Sequence, residues 1–182
     1  MFDSFLNVDG IPGESTDDKH SNWIEVLSFG HEMLQPVSGT RSSAGGASGG
    51  GRAMHGDFRI TKHWDKSSPK LYEALSNGKH LSKVTLDVCR AGGSQVKFME
   101  ITMEQVMISK VHIHAHGTNG SEGSNGANEN LPAVQTDMLP TETVHLNYGK
   151  ITWVYTQQKR ADGSGGGNVT ANHDLTTGKG SS

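Results

Sequence analysis

The stretch KVTLDVCR at residues 83–90 sets the fold class of this chain. Its apolar residues Val84, Leu86 and Val88 alternate with polar residues, and Cys89 continues the polar, outward set. An apolar repeat of two residues is typical of a β-strand that lays one face on a core and turns the other outward. We therefore begin from a sheet protein and look for its other strands.

Three more segments show strand patterns. The period of two recurs in FRITKHW at residues 58–64. Residues 23–34 carry apolar side chains at both odd and even positions, which predicts a strand buried on both faces. Residues 96–114 are rich in Val, Ile, Met and Phe, and predict one long strand that bends or breaks near Glu104 and Gln105.

A last pair of strands is predicted at residues 143–148 and 151–156. Gly149 and Lys150 separate the two segments. This short interruption fits either a tight hairpin or a bulge within one long strand, and the residues alone leave both alternatives open.

One short α-helix is predicted over about residues 68–77. Ser68 can cap its N-terminus, Pro69 suits the first helical position, and Gly78 suits the position just past the C-terminus. Many strands and one short helix indicate a mainly β protein, and we expect a small antiparallel β-barrel of two packed sheets.

Composition supports one domain with long loops. The chain has 182 residues, which predicts a single domain over residues 1–182. Of its 24 glycines, 15 lie in residues 39–56, 117–130 and 162–168. These three stretches are predicted to be glycine-rich loops, and the rest of the chain has ordinary glycine content.

Several functional classes are excluded by composition. The formal net charge is −3 and no basic cluster is present, so nucleic-acid binding is not expected. No apolar run approaches the roughly 20 residues of a membrane helix, so membrane insertion is not expected either. The opening MFDSFL lacks the pattern of a cleaved signal peptide. The single cysteine, Cys89, fits synthesis in the cytoplasm.

The most chemical-looking motif is HIHAHG at residues 112–117. His112, His114 and His116 alternate on a strand, so three imidazoles could converge on one metal ion. This pattern defines the alternative hypothesis of a metal-binding, cupin-like β-barrel enzyme. The spacing to the next glutamate, Glu122, is one residue too long for a cupin motif.

No other set of residues predicts catalysis. Asp65, Asp87 and Asp174 could act as acids, but none has a second catalytic group at a sequence spacing typical of acid–base catalysis. The serines of residues 67–68 are better explained by helix capping than as nucleophiles paired with His63. We therefore assign no catalytic, cofactor-binding or metal-binding residues, and expect no cofactor and no enzymatic activity.

Seven short motifs follow one another in a specific order. They are NVDGIPGES at residues 7–15, IEVLSF at 24–29, ITKHWDKSSP at 60–69, SNGKH at 76–80, VTLDVCRAGG at 84–93, TVHLNY at 143–148 and ITWVY at 151–155. Together they resemble the Hcp family (haemolysin-coregulated protein), the tube subunits of bacterial type VI secretion systems. The resemblance covers nearly the whole chain, and residues 112–139 depart from it most.

The resemblance implies a function by shape. Hcp subunits are small β-barrels that form hexameric rings, and the rings stack into a tube inside a contractile sheath and beneath a VgrG-type spike. Small effector proteins can travel in the ring lumen. The resemblance also implies synthesis in the bacterial cytoplasm and secretion by the type VI system itself, with no fused toxin domain.

The long arm at residues 39–56 is expected to make ring-to-ring contacts. Ordering each glycine-rich residue costs roughly 1–2 kcal/mol of backbone entropy, which favours weak and reversible stacking. Deletion of residues 44–51 should therefore leave rings intact and reduce their stacking.

Overall fold

The computed structural model describes residues 2–36, 51–91, 96–115, 139–158 and 165–181. Of the predicted loop and arm at residues 39–56, residues 39–50 lie outside this part of the chain, as does the loop at 117–130, and residues 54–55 form a short strand instead of a loop. In the described residues the elements are β1 (Phe2–Val8), β2 (Ile24–Val26), β3 (Ser28–Gly30), β4 (Met33–Leu34), β5 (Met54–His55), β6 (Phe58–His63), α1 (Ser68–Ser76), β7 (His80–Arg90), β8 (Val96–His114), β9 (Thr141–Asn147), β10 (Lys150–Gln158), β11 (Gly165–Asp174) and β12 (Lys179–Ser181).

The strand predicted from residues 83–90 is confirmed as β7, which lies between β1 and β8 in antiparallel pairing. Val84, Leu86 and Val88 face the core and are almost fully buried. The predicted outward set is wrong at its end, because Asp87 and Cys89 are buried as well. The register shifts between Val88 and Cys89, and the segment after β1 covers this part of the second face.

The long strand β8 bends where the sequence predicts. Gln105 has a positive φ of 55°, a conformation that is uncommon for residues other than glycine. Before the bend β8 pairs with β7 and β10. Beyond it the pairing with β7 continues to Met107, and β9 pairs with β8 from Met107 onward. A single strand therefore belongs to two parts of the sheet, one on each side of the bend.

The strands β9 and β10 do not form a hairpin with each other. Both pair with β8, with Asn147 opposite Met107 and Lys150 opposite Glu104. The interruption at Gly149 therefore lies opposite the bend of β8. The sequence left two alternatives at Gly149 and Lys150. The structure has an interruption in one long strand, not a hairpin.

Two other predictions from the sequence are wrong. Residues 23–34 form three short strands instead of one buried strand. Leu27, Met33 and Leu34 are more than half exposed, although Ile24 and Val26 are buried. The predicted third loop is also partly incorrect, because its residues 165–168 belong to β11, which pairs with β10.

The single predicted helix is confirmed as α1. It ends in a Schellman motif, in which the N–H of Gly78 donates to the carbonyl of Leu75 and that of Lys79 donates to the carbonyl of Ala74. Gly78 has a φ of 58°, which only glycine adopts without strain. Leu71 and Ala74 bury the inner face of the helix in the core.

The mainly β class with one short helix is confirmed, in one ten-stranded sheet and the two-stranded β4–β5 sheet. In the described residues the strand pairings do not close into a continuous ring, so "barrel" describes the shape only loosely. The larger sheet folds back on itself, and its buried apolar side chains form one hydrophobic core. No helix in this part of the chain has the length and apolar character needed to cross a membrane.

Candidate assembly surface

A buried ion cluster joins α1 to the sheet. Lys62 on β6 and Glu142 on β9 are register partners, and both side chains are completely buried. The Nζ of Lys62 lies 2.8 Å from a carboxylate oxygen of Glu142 and 2.8 Å from one of Asp65. Ser68 and Tyr72 of α1 complete this group of five, which we call the Lys62–Glu142 cluster.

Every polar side chain of the Lys62–Glu142 cluster has partners. The hydroxyl of Ser68 donates to Glu142 at 2.7 Å and accepts from Lys62 at 3.0 Å. The hydroxyl of Tyr72 donates to the other oxygen of Glu142. Burial and this carboxylate raise the pKa of Tyr72, so the phenol stays protonated as a donor. Because buried charges need such compensation, the cluster fixes the helix at one position on the sheet.

The two serines at the helix start do not cap it as predicted. Ser67 is the N-cap residue and makes no side-chain capping bond, and Ser68 is the first helical residue. Their hydroxyls are already engaged, that of Ser67 with Asp65 at 2.5 Å and that of Ser68 with Glu142. Neither serine is therefore arranged as a nucleophile.

A second polar group, the imidazole–tyrosine cluster, lies at the base of the β4–β5 hairpin. It comprises His31, His55, Tyr148 and His173. The hydroxyl of Tyr148 lies 2.7 Å from Nε2 of His31 and 2.9 Å from Nδ1 of His55. The ring of His173 on β11 stacks on His55 with centroids 5.1 Å apart. A phenol has one proton, so it donates to one imidazole and accepts from the other.

Burial favours the neutral forms of His31, His55 and Tyr148 in this second cluster. It lowers the pKa of His31, and neighbouring His55 lowers it further. The pKa of His55 is likewise lowered, first by burial and then by His173. Burial raises the pKa of Tyr148. His31 and His55 therefore become charged only at a lower pH than an ordinary histidine.

His112 and His114 lie on one face of β8, as the alternation predicts, with ring centroids 4.2 Å apart. His114 lies 3.3 Å from the hydroxyl of Thr143, and His116 lies outside the described residues. Within the described part of the chain, no group of three His, Cys, Asp or Glu side chains could hold a metal ion. Nothing in this geometry supports the metal-enzyme hypothesis.

The three aspartates considered as acids have separate structural partners. Asp65 belongs to the Lys62–Glu142 cluster. Asp87 lies 3.2 Å from the buried ring of His20 and from Lys97. Asp174 accepts backbone N–H bonds in the turn between β11 and β12.

Cys89 is a packed thiol, although the alternation of its strand placed it on the outward face. Its side chain is fully buried. Burial and the nearby charge of Asp87 raise its pKa to about 11. The reactive thiolate form is therefore scarce at neutral pH.

A groove of about 770 Å³ lies beside the junction of β2 and β3. Its lining combines acidic side chains with exposed apolar ones. The acidic residues are Asp3, Glu14, Asp17, Glu25 and Asp65, and the exposed apolar residues are Phe2, Leu27, Trp64 and Leu139. A groove of this chemistry is suited to contact with a partner that carries apolar and basic groups.

The sequence patterns missed both polar clusters and the groove. One signal for the first cluster was present, because Lys62 shares the core-facing alternation of Phe58 and Ile60. A lysine in an apolar row requires a buried partner. Its partner Glu142 follows 80 residues later, in the same row as Val144.

Comparison with known proteins identifies the family. The family described as "Type VI secretion system effector, Hcp" matches residues 5–155. The chain is 34% identical to "Protein hcp1" of Pseudomonas aeruginosa over 168 residues, which covers 92% of this chain and 91% of that protein. It is 30% identical to the "Major exported protein" of the same organism over 145 residues, 79% of this chain and 74% of that one.

Solved structures agree with this match. A "type six secretion system protein" superposes over the full length of both chains with a TM-score of 0.78 and 29% identity. Hcp1 from Salmonella typhimurium covers 99% of each chain with a TM-score of 0.68 and 26% identity. The chain belongs to the Hcp family of type VI secretion system proteins, as its ordered motifs suggest, and the cupin-like alternative is not supported.

Proposed function

We propose that this chain is a structural inner-tube subunit of a type VI secretion system, which forms hexameric rings that stack into a tube. The observation that carries this proposal is the family match, which extends over residues 5–155 and nearly the full length of a relative. Because the match spans the core, α1 and the strand pairings, it concerns the whole shape of the subunit and not one isolated motif.

The surface of the subunit is compatible with a closed ring. A ring of identical copies needs two different, complementary surfaces on each subunit. The acidic and apolar groove beside Leu27 is one such surface, and its exposed Trp64 and Phe2 are the side-chain types enriched at interfaces. A contact through exposed strands also protects them from uncontrolled pairing.

We further propose that the assembled protein is secreted. One relative, 30% identical to this chain, is named for its export, and the family belongs to the type VI secretion system. Its partners in this role are a VgrG-type spike, the contractile sheath and small effector proteins in the lumen.

The proposed role needs no enzymatic activity. The hydroxyls of Ser67 and Ser68 bind carboxylates, and the thiol of Cys89 is buried and protonated. These two hydroxyls and this thiol therefore serve hydrogen bonding and packing.

Native mass spectrometry tests the proposal directly. We expect a species of six times the 19.5 kDa chain mass, without stoichiometric metal. Negative-stain electron microscopy of the same sample should show rings. A monomer or dimer that carries one zinc or iron ion per chain would contradict the proposal.

A further inference from the structure

The β4–β5 hairpin forms a small sheet of its own. Its two strands pair with each other, and in the part of the chain that the structure describes neither strand pairs with the ten-stranded sheet. Met33, Leu34 and Met54 are each more than half exposed, so these side chains add little apolar contact with the rest of the subunit. A hairpin of two strands is only marginally stable by itself in water. Its position therefore depends on a few specific contacts.

The imidazole–tyrosine cluster supplies contacts of this kind. His31 precedes β4, His55 ends β5, and both rings meet the hydroxyl of Tyr148 at the junction of β9 and β10. The ring of His55 also stacks on His173 of β11 and lies beside the ring of Trp153 on β10. Both sides of the hairpin base are thus held on the larger sheet through imidazole rings.

Protonation works against these contacts in two ways. Tyr148 has one proton to donate, so it needs a neutral imidazole nitrogen as its acceptor, and a protonated imidazole has none. The ring centroids of His31 and His55 are 5.9 Å apart, and those of His55 and His173 are 5.1 Å apart. Positive charges at these distances repel one another. Burial lowers the pKa of His31 and of His55, and the charge of a neighbouring imidazole lowers each further.

The other charged groups around the cluster leave this repulsion uncompensated. They are Glu32, Arg52, Asp57, Arg59, Lys150 and Asp174. Glu32, Arg52 and Arg59 are exposed to water, and the carboxylate of Asp57 accepts from Ser109 and Asn147. Lys150 and Asp174 are register partners on the strand face opposite to that of His173. Among the described residues, the ion pairs that involve a histidine are those of His20.

We propose that the imidazole–tyrosine cluster is an acid-released latch, which holds the β4–β5 hairpin on the larger sheet at neutral pH and frees it when His31 and His55 take up protons. The hairpin is released while the hydrophobic core stays folded. The latch does not depend on the proposed ring, because all of its groups belong to one chain.

The ordinary titration of histidine limits the size of the effect. In the freed hairpin both imidazoles titrate near pH 6.5, whereas in the docked hairpin their pKa values are lowered. The freed form therefore binds protons first as the pH falls. Between pH 7.5 and 5.5 the ratio of freed to docked hairpin can rise by up to about tenfold for each imidazole.

Hydrogen exchange of the full-length protein at pH 7.5 and 5.5 measures the release. Protection factors are compared, so that the intrinsic effect of pH on exchange is divided out. The amides of Gly51 and Gly56 donate to the carbonyls of Pro36 and Glu32 across the hairpin, and their protection should fall several-fold at the lower pH. At both pH values these amides should exchange far faster than those of the buried strand β7, because release of the hairpin exposes them without global unfolding.

A variant without titratable rings tests the role of the cluster. In His31→Gln/His55→Asn, side-chain amides reach the positions of the two ring nitrogens that face Tyr148, and they take up no proton. The protection of Gly51 and Gly56 should then be the same at both pH values. His145→Gln is the matched control, since burial lowers the pKa of His145 as well but this residue lies outside the cluster. This control should keep the wild-type response.

Two results would overturn the latch. One is a wild-type hairpin that keeps its protection at pH 5.5 or exchanges no faster than β7. The other is a double variant that loses protection as the wild type does. If circular dichroism shows that the double variant is unfolded, Tyr148→Phe decides the matter. It removes the bridging hydroxyl, so hairpin protection should fall several-fold already at pH 7.5, and unchanged protection would show that other contacts hold the hairpin.

Discussion

The Lys62–Glu142 cluster and the imidazole–tyrosine cluster are both internal polar groups, and they differ in the charge they carry. The first centres on an ion pair between the completely buried side chains of Lys62 and Glu142, to which Asp65, Ser68 and Tyr72 are bonded. The second is built from imidazole rings around Tyr148; His31 and His55 are only partly buried, and their pKa values are lowered. The first can serve only as a fixed attachment of α1, whereas the second responds to the acidity of the medium.

The largest expected loss of stability comes from removal of the Lys62 ammonium group from the Lys62–Glu142 cluster. Lys62→Met should lower the free energy of unfolding by about 3–5 kcal/mol, because it leaves the buried carboxylate of Glu142 without its partner. Urea unfolding followed by circular dichroism measures the loss. The double variant Lys62→Met/Glu142→Gln should recover part of it, and a loss below about 1 kcal/mol in the single variant would contradict a buried ion pair.

Two matched tyrosine variants sharpen the comparison. Tyr72→Phe removes a donor to a buried carboxylate and should cost about 1.5–3 kcal/mol, whereas Tyr148→Phe removes a hydroxyl between neutral imidazoles and should cost about 0.5–1.5 kcal/mol. Both substitutions delete the same atom and keep the ring. Equal losses in urea unfolding would show that charge does not distinguish the clusters.

The smallest expected effect is a dependence of stability on pH. The pKa values of His31 and His55 are lowered in the folded protein, and histidine in an unfolded chain titrates near 6.5. As the pH falls below about 6.5, the unfolded chain binds these protons first. The stabilisation is therefore complete above that pH and decreases below it.

Thermal unfolding at pH 7.5 and 5.5 measures this loss. The double variant His31→Gln/His55→Gln should show a smaller decrease in Tm between the two pH values than the wild type. Tyr72→Phe serves as a control and should show the wild-type decrease, since it alters only the other cluster. An unchanged decrease in the histidine variant would assign the pH dependence elsewhere, for example to His145, whose pKa is also lowered by burial.

Local patterns predicted the individual elements well. The alternation at residues 83–90 identified β7, Pro69 and Gly78 framed α1, and the interruption of the apolar pattern located the bend at Gln105. Each of these features depends on residues that are close together in sequence. The ordered motifs added the family, because their sequence of appearance is more specific than any one of them.

The polar clusters were beyond such reasoning because they depend on long-range register. Lys62 meets Glu142 only because β6 and β9 pair at one particular alignment. Likewise, His31 and Tyr148 are 117 residues apart along the chain. The burial of Asp87 and Cys89 depends on the segment that carries His20 across β7. A single sequence specifies none of these alignments by its local pattern.

The bend at Gln105 has a mechanical consequence for the sheet. β8 is hydrogen-bonded to neighbouring strands along most of its length, to β10 before the bend, to β7 as far as Met107 and to β9 from Met107 onward. Load applied to either part of the sheet therefore reaches the other through continuous covalent backbone. The hydrogen bonds between antiparallel strands lie perpendicular to the strand axis, so sliding β8 along its axis would require many of them to break together. This makes β8 a stiff element inside the subunit.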